Sequence, residues 1–273
     1  MVYNFLIWFL LVALIIASLQ DFKRREVDNW LNLMILFSGI GFICFSAIFS
    51  LNYSVIVYGI SLIILMFIAA NLFYYGRVFA GGDAKLLFAM SVFLVGKDFF
   101  SSMANAGIFL VFVLFSGSIY GIFYSLILFF ANFRKTKKEF KRIFENLYLR
   151  YSVYVGIILF ALSYVDFFFL WISFIFLVMP VLYAFAKSIE KSVMVKELSA
   201  KSLREGDLLA EEIRFKNRNF ICDWEGLRKA DINFLKGYKK KIKIKEGIPF
   251  VPAILMAFLF YIPLKDYLFG FLF

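Results

Sequence analysis

Long runs of apolar residues separated by short charged segments dominate the chain. A helix needs about 20 apolar residues to cross a hydrocarbon core of ~30 Å, so the pattern predicts about eight transmembrane helices. The predicted spans cover residues 2–20, 30–50, 53–75, 83–95, 102–132, a hairpin within 151–186 that breaks near Asp166, and 248–270. The first run lacks a basic leader and a cleavage site, so it is predicted to be a span and not a removed signal peptide.

The distribution of Lys and Arg predicts the orientation of these spans. If the N-terminus lies outside and every run crosses, all of the 30 basic residues except Lys97 and Lys265 lie on the cytoplasmic side. Such an excess of positive charge is typical of cytoplasmic loops. It also favours a crossing by residues 83–95, because otherwise the basic segment 133–150 would lie outside.

These patterns predict an all-α polytopic protein of the cell membrane with a small mixed or β-rich cytoplasmic module. The predicted domains are a transmembrane domain (1–186), a basic cytoplasmic module (187–247) and a final transmembrane helix (248–273). The basic run at 239–245 precedes the last helix, where it is expected to attract anionic lipid headgroups.

Composition narrows the chemistry that is open to this chain. Hydrophobic residues make up 63% of it, against about half in soluble domains. The net charge of +11 follows from the topology, so we predict no nucleic-acid partner. The chain has no His, and its two Cys are not paired in a CxxC motif. This argues against Ser-His and Cys-His catalysis, and we predict no metal and no cofactor.

Two acids stand out because charges at membrane depth are costly and often functional. Asp21 ends the first span and Asp83 opens the fourth, so both are predicted at the cytoplasmic boundary. Two adjacent carboxylates cannot both ionise, and by sharing a proton they can activate water for hydrolysis. Considered separately, each acid is better explained structurally, Asp83 as a helix cap and Asp21 as an interfacial partner of Arg24 or Arg25.

Neighbouring residues extend this hypothesis. Gly81 and Gly82 are predicted to let the backbone turn sharply into the fourth helix and a substrate strand approach closely. Lys85 is predicted to favour the ionised form of Asp83. The remaining membrane-boundary acids are predicted to have no special role: Asp28, Asp98, Asp166 and Asp266.

Three separated blocks resemble the archaeal preflagellin and prepilin peptidases, which are membrane aspartyl proteases of the GxGD type. The first is Asp21-x-x-x-Arg25-x-Val27-x-x-Trp30, and the second is Gly82-Asp83-Ala84-Lys85. The third contains Pro249 and Pro252 at the start of the last span, where prolines are either ordinary first-turn residues or shape the cleft. A strict GxGD motif would have Gly in place of Ala80.

The resemblance implies that Asp21 and Asp83 are catalytic. It implies removal of short basic leader peptides from flagellin-like or type IV pilin-like precursors at the cytoplasmic face. It also implies no methyltransferase activity, because no cysteine-bearing insert precedes Asp21. A presenilin-like protease acting inside the bilayer, a proton-coupled transporter and an assembly scaffold remain as alternatives.

Overall fold

The apolar runs fold as helices close to their predicted bounds in a computed structural model of the protein. The structure describes residues 2–216, 218–223, 226–238 and 240–272, except the side chains of 2–4 and 266–272; Lys239 of the predicted basic run lies outside these ranges. In chain order the helices are α1 (Val2–Arg24), α2 (Asn29–Ser50), α3 (Ser54–Tyr75), α4 (Gly81–Ala89), α5 (Phe99–Ala131), α6 (Phe133–Phe144), α7 (Leu147–Leu162), α8 (Phe168–Ile189), α9 (Lys229–Leu235) and α10 (Val251–Leu272).

Several of these helices are suited to a membrane. Within the described ranges, five are long and apolar enough to cross one, namely α1, α2, α3, α5 and α8. The number rises to six if α6 and α7, which meet at a bend of 75°, form one span. The chain is therefore a multi-pass membrane protein, and the total of eight spans stays a prediction. The short fourth run forms α4 followed by a 3-10 turn, Met90–Leu94.

The predicted helical hairpin is confirmed as α7 and α8, with its break at residues 163–167. The two helices pack closely because Gly156 of α7 faces the side chain of Leu177, and the Ser152 hydroxyl donates to the Phe176 carbonyl at 3.3 Å. Asp166 accepts a hydrogen bond from the Phe168 N–H at 2.9 Å, which caps the start of α8. An acid predicted to have no special role therefore stabilises a helix terminus.

Packing divides the chain into two units. The first comprises Met1–Ile122 and Ile248–Phe273, and the second comprises Phe123–Gly247. The first unit therefore contains α1 to α4, the first part of α5, and α10. These units reflect packing alone, so the predicted domain division at residues 186 and 247 stays a prediction.

Helices of the first unit approach one another at glycines. Gly39 of α2 lies against Val92, and Gly59 of α3 lies against Ile43 of α2. Small residues at such crossings let helices pack closely where lipid supplies no hydrophobic driving force. Large apolar side chains such as Phe49 and Leu72 remain exposed on the outer faces, as expected for helices surrounded by acyl chains.

The second unit contains the predicted soluble module, which is mixed. Its strands are β1 (Val195–Leu198), β2 (Leu208–Leu209), β3 (Ile213–Phe215), β4 (Arg218–Phe220) and β5 (Ile242–Lys245). Strand β5 pairs antiparallel with both β1 and β2, and β3 pairs with β4. Ile242 and Ile244 are buried with Leu235 of α9, while Lys243 and Lys245 lie on the other face of β5, the alternation expected of a strand.

The glycine crossings generate a stability test. A methyl group added at Gly39 would overlap the branched side chain of Val92, whereas one at Gly41 would meet no atom within 4 Å. We expect Gly39→Ala to destabilise the protein by about 1–3 kcal/mol through overpacking. Gly41→Ala on the same helix should leave stability unchanged or slightly higher, because Ala is the better helix former.

The measurement is thermal unfolding of both purified variants in one detergent. Equal melting temperatures would contradict the close packing of α2 against Val92.

Candidate active site

Asp21 lies in the last turn of α1 and is only 5% exposed. Its carboxylate Oδ2 accepts a hydrogen bond at 3.0 Å from the backbone N–H of Val251, the first residue of α10. The first N–H groups of a helix lack partners within the helix, so the side chain of α1 caps the last helix of the chain.

The proline block lies directly beside this contact. Pro252 is the second residue of α10, where a missing N–H costs no helical hydrogen bond. The first intrahelical bonds run to the Phe250 carbonyl, from the N–H of Ala253 at 2.9 Å and of Ile254 at 3.4 Å. Pro249 precedes this turn. The block predicted to shape the cleft thus lies directly against one of the two predicted aspartates.

Asp83 is the third residue of α4 and is 7% exposed. Its Oδ2 accepts the Ala80 N–H at 3.2 Å, closing the first turn of the helix. Ala80 is extended, with φ −72° and ψ 162°, a conformation open to any residue. Alanine in place of the motif glycine therefore causes no backbone strain.

Gly81 and Gly82 do not have the backbone role that the sequence suggested. Both lie in the first turn of α4, and neither has a positive φ. An added Cβ would lie 3.6 Å from the Tyr74 ring at Gly81 and 3.7 Å from the Val27 nitrogen at Gly82. These are ordinary contact distances, so the expectation that the turn into the helix needs glycine is wrong.

The two aspartates lie at the same end of the first unit. Gly82, next to Asp83, packs beside the backbone of Val27 in the turn that follows α1. The Asp21 charge acts electrostatically on the Asp83 carboxyl group. The proline block also contacts the Asp83 block, because the Phe250 ring lies 5.0 Å from the ring of Phe79. The structure therefore brings together the three blocks that the sequence singled out.

The two basic residues of the motifs, Arg25 and Lys85, have different partners. Arg25 is half-buried, has a φ of 59°, and its N–H donates to the Asp21 carbonyl at 2.8 Å. Its guanidinium attracts the Asp21 carboxylate. The Lys85 ammonium instead donates to Asn29 Oδ1 at 3.1 Å. Lys85 therefore joins α4 to the start of α2, a contact that the sequence did not predict.

Asp28 has a structural role that the sequence analysis missed. Its carboxylate accepts hydrogen bonds from Gln20 Nε2 at 3.1 Å and from Trp30 Nε1 at 3.2 Å, and it pairs with Arg24 at 3.4 Å. The Gln20 side chain also accepts the Asp28 N–H at 3.1 Å. This network fixes the turn that packs against Gly82. The position of Asp28 directly before α2 was the one available signal, since Asp is common at helix starts.

Gly117 is a second residue whose structural role could not be recognised from the sequence. A Cβ at this position would lie 2.6 Å from the Phe250 ring. The absence of a side chain on α5 therefore makes room for the ring that joins the proline block to Phe79. Within the described ranges, no group of three or more Asp, Glu, Cys or His side chains lies close enough to bind a metal ion.

Comparisons with known proteins agree with this arrangement. The profile of the type IV leader peptidase family matches residues 8–134. A preflagellin peptidase of Methanococcus maripaludis strain C6 is 29% identical over 143 residues, which cover 47% of this chain and 61% of that relative. The chain thus spans less than two thirds of the relative's length. No solved structure gives a significant match.

These matches confirm the resemblance for the two blocks that contain Asp21 and Asp83, whereas Pro249 and Pro252 lie outside residues 8–134. The matched segment contains Asp21, Asp83 and the helices that hold them. Over this segment, the chain is similar to the type IV leader peptidase family.

Proposed function

We propose that the protein is a membrane aspartyl endopeptidase that removes short basic leader peptides from flagellin-like or type IV pilin-like precursors. One observation carries the proposal: two buried carboxylates, Asp21 and Asp83, interact at one end of a bundle of membrane helices. Both belong to the segment that matches leader peptidases. The relative that is similar to this chain is a preflagellin peptidase.

The proposed chemistry needs only these two side chains and water. Two neighbouring carboxylates repel each other as anions, so the pair retains one proton. The ionised carboxylate takes a proton from a water molecule, and the oxygen of that water attacks the scissile carbonyl carbon. The protonated carboxyl group donates a hydrogen bond to the carbonyl oxygen. The tetrahedral intermediate then collapses as the peptide nitrogen receives a proton and leaves. No cofactor enters this sequence.

Helix termini support the negative charge of this pair. Asp83 lies in the first turn of α4, and Asp21 accepts the N–H of Val251, the first residue of α10. The N-terminus of a helix carries partial positive charge and favours a carboxylate. The site therefore contains two helix N-termini for the one negative charge that the proton-sharing pair carries.

Cleavage is proposed to occur at the cytoplasmic face. The positive-inside distribution supports this orientation, with about eight spans and the N-terminus outside. Helix α6 contributes to it, because Lys and Arg cover one side while Phe140, Ile143 and Phe144 are half-buried on the other. Such a basic amphipathic helix favours the anionic surface of the cytoplasmic leaflet. The basic leader and hydrophobic helix of a precursor would approach along the same boundary.

The position of the aspartates favours a leader peptidase over the alternatives. Asp21 is within the last turn of its helix and Asp83 within the first turn of its own. A transporter's proton site is expected nearer the middle of the membrane. A presenilin-like protease would cut within the hydrophobic segment of its substrate, so the mapped cleavage site separates that reaction from the proposed one.

The carboxylates provide the first test. We expect Asp21→Asn and Asp83→Asn each to lower leader cleavage by about 10²–10⁴-fold, because Asn cannot exchange the catalytic proton. Asn retains an acceptor oxygen, so the bond to Val251 survives in Asp21→Asn. The assay is cleavage of a tagged pilin-like precursor by membranes that contain equal amounts of each variant.

Asp166→Asn is the matched control, because Asp166 lies in the loop between α7 and α8. Its activity should equal that of the wild type. Full activity in either Asp21→Asn or Asp83→Asn, with normal membrane insertion, would exclude the aspartyl mechanism.

Gly82 provides a second test, which separates substrate contact from folding. Since a methyl group fits here in the folded protein, Gly82→Ala should melt at the wild-type temperature. If the substrate backbone passes beside Asp83, the methyl group displaces it, and kcat/KM should fall by about tenfold or more. Ala80→Gly should change kcat/KM by less than about twofold, because Ala80 is already relaxed.

Both quantities are measured on the same purified preparations. A lower melting temperature together with lower activity would assign Gly82 to packing. Wild-type activity would place the substrate strand away from it.

A further inference from the structure

A cavity of about 680 Å³ opens in the first unit, far from the aspartates. Ile7 of α1 and Lys265 of α10 both line it. Ile7 precedes Asp21, and Lys265 follows Val251, by about 14 residues, which corresponds to roughly 21 Å along each helix. Because Asp21 and Val251 are in contact, both helices place the cavity at the opposite end of the unit.

The wall of this cavity is apolar. It is formed by side chains from α2, α3, the segment after α4, and α10, among them Phe42, Ile43, Val55, Phe93 and Phe258. A volume of this size is typical of sites for small organic ligands. The helices around it carry apolar outer faces, so acyl chains are the ligands at the highest local concentration.

The rim of the cavity is basic. Lys97, in the segment before α5, and Lys265, near the end of α10, both contribute to it. An acid, Asp98, also lines the cavity, and it accepts the Ser101 N–H at 2.8 Å in the first turn of α5. Lysines bind phosphate as point charges, and two of them at one rim favour an anionic headgroup.

These lysines are unusual in a second, independent respect. In the proposed orientation, they are the two residues, among the 30 Lys and Arg of the chain, that lie outside the cytoplasmic segments. They lie far apart in sequence and on separate elements, yet both line one cavity. Basic residues are rare on that side of membrane proteins, so their convergence on an apolar cavity points to a ligand and not to topology.

We infer that this cavity is a binding site for one anionic phospholipid. An acyl chain fills the apolar interior, and the phosphate lies between Lys97 and Lys265. The lipid is bound in the leaflet opposite to Asp21 and Asp83. The site requires neither the carboxylates nor a precursor, so it stands apart from the proposed peptidase activity.

The test uses the delipidated full-length protein and phosphatidylglycerol with a photoreactive acyl chain. We expect labelled peptides from the cavity wall, with unlabelled phosphatidylglycerol competing at least about tenfold more strongly than phosphatidylcholine. The variant Lys97→Gln/Lys265→Gln should weaken this labelling by about tenfold or more. The control Lys23→Gln/Lys236→Gln removes the same charge at exposed positions and should label as the wild type does.

A third variant tests whether the acyl chain enters the cavity. Ser46 lines it, so Ser46→Trp should block labelling of the wall while both lysines remain. Equal competition by phosphatidylcholine would overturn the inference. So would displacement by inorganic phosphate, which would show an anion site without an acyl chain. Displacement by a hydrophobic precursor peptide but not by phosphatidylglycerol would reassign the cavity to a protein ligand.

Discussion

The hydrogen bond between the Asp21 carboxylate and the Val251 N–H joins the first helix of the chain to the last. Each group would be costly to bury alone, because a carboxylate needs donors and the start of a helix needs acceptors. Their pairing satisfies both needs in the protein interior. It also fixes the carboxylate at the end of α10, so the group proposed to do the chemistry is itself part of the packing.

This bond gives the surrounding residues their roles. The proline block lies at the first turn of α10, where the Val251 N–H donates to Asp21. The Phe250 ring packs against the Phe79 ring, and Gly117 leaves room for the Phe250 ring. The network around Asp28 holds the turn after α1 against Gly82. The end of α1 and the proline block at the start of α10 are thus brought together by contacts with a third block, residues 79–83.

Sequence patterns predicted the parts of this structure that depend on local composition. The apolar runs gave the helices, the break near Asp166 and the mixed module, and the spacing of polar residues identified both aspartates. The partners of these residues could not be predicted in this way. Val251 is 230 residues from Asp21, and a backbone N–H has no sequence signature. The contacts of Lys85 with Asn29 and of Asp28 with Gln20 likewise depend on the fold and have no signature in the neighbouring sequence.

The two ends of the first unit show how one bundle can serve different demands. At one end, buried carboxylates are tolerated because helix N-termini and backbone N–H groups surround them. At the other end, the bundle leaves a cavity where apolar walls meet two lysines. A void in a membrane protein loses packing contacts on every side. The proposed lipid would fill this void with its acyl chain while its phosphate meets the two lysines. That complementarity, more than the size of the cavity, is what makes a lipid the most economical occupant.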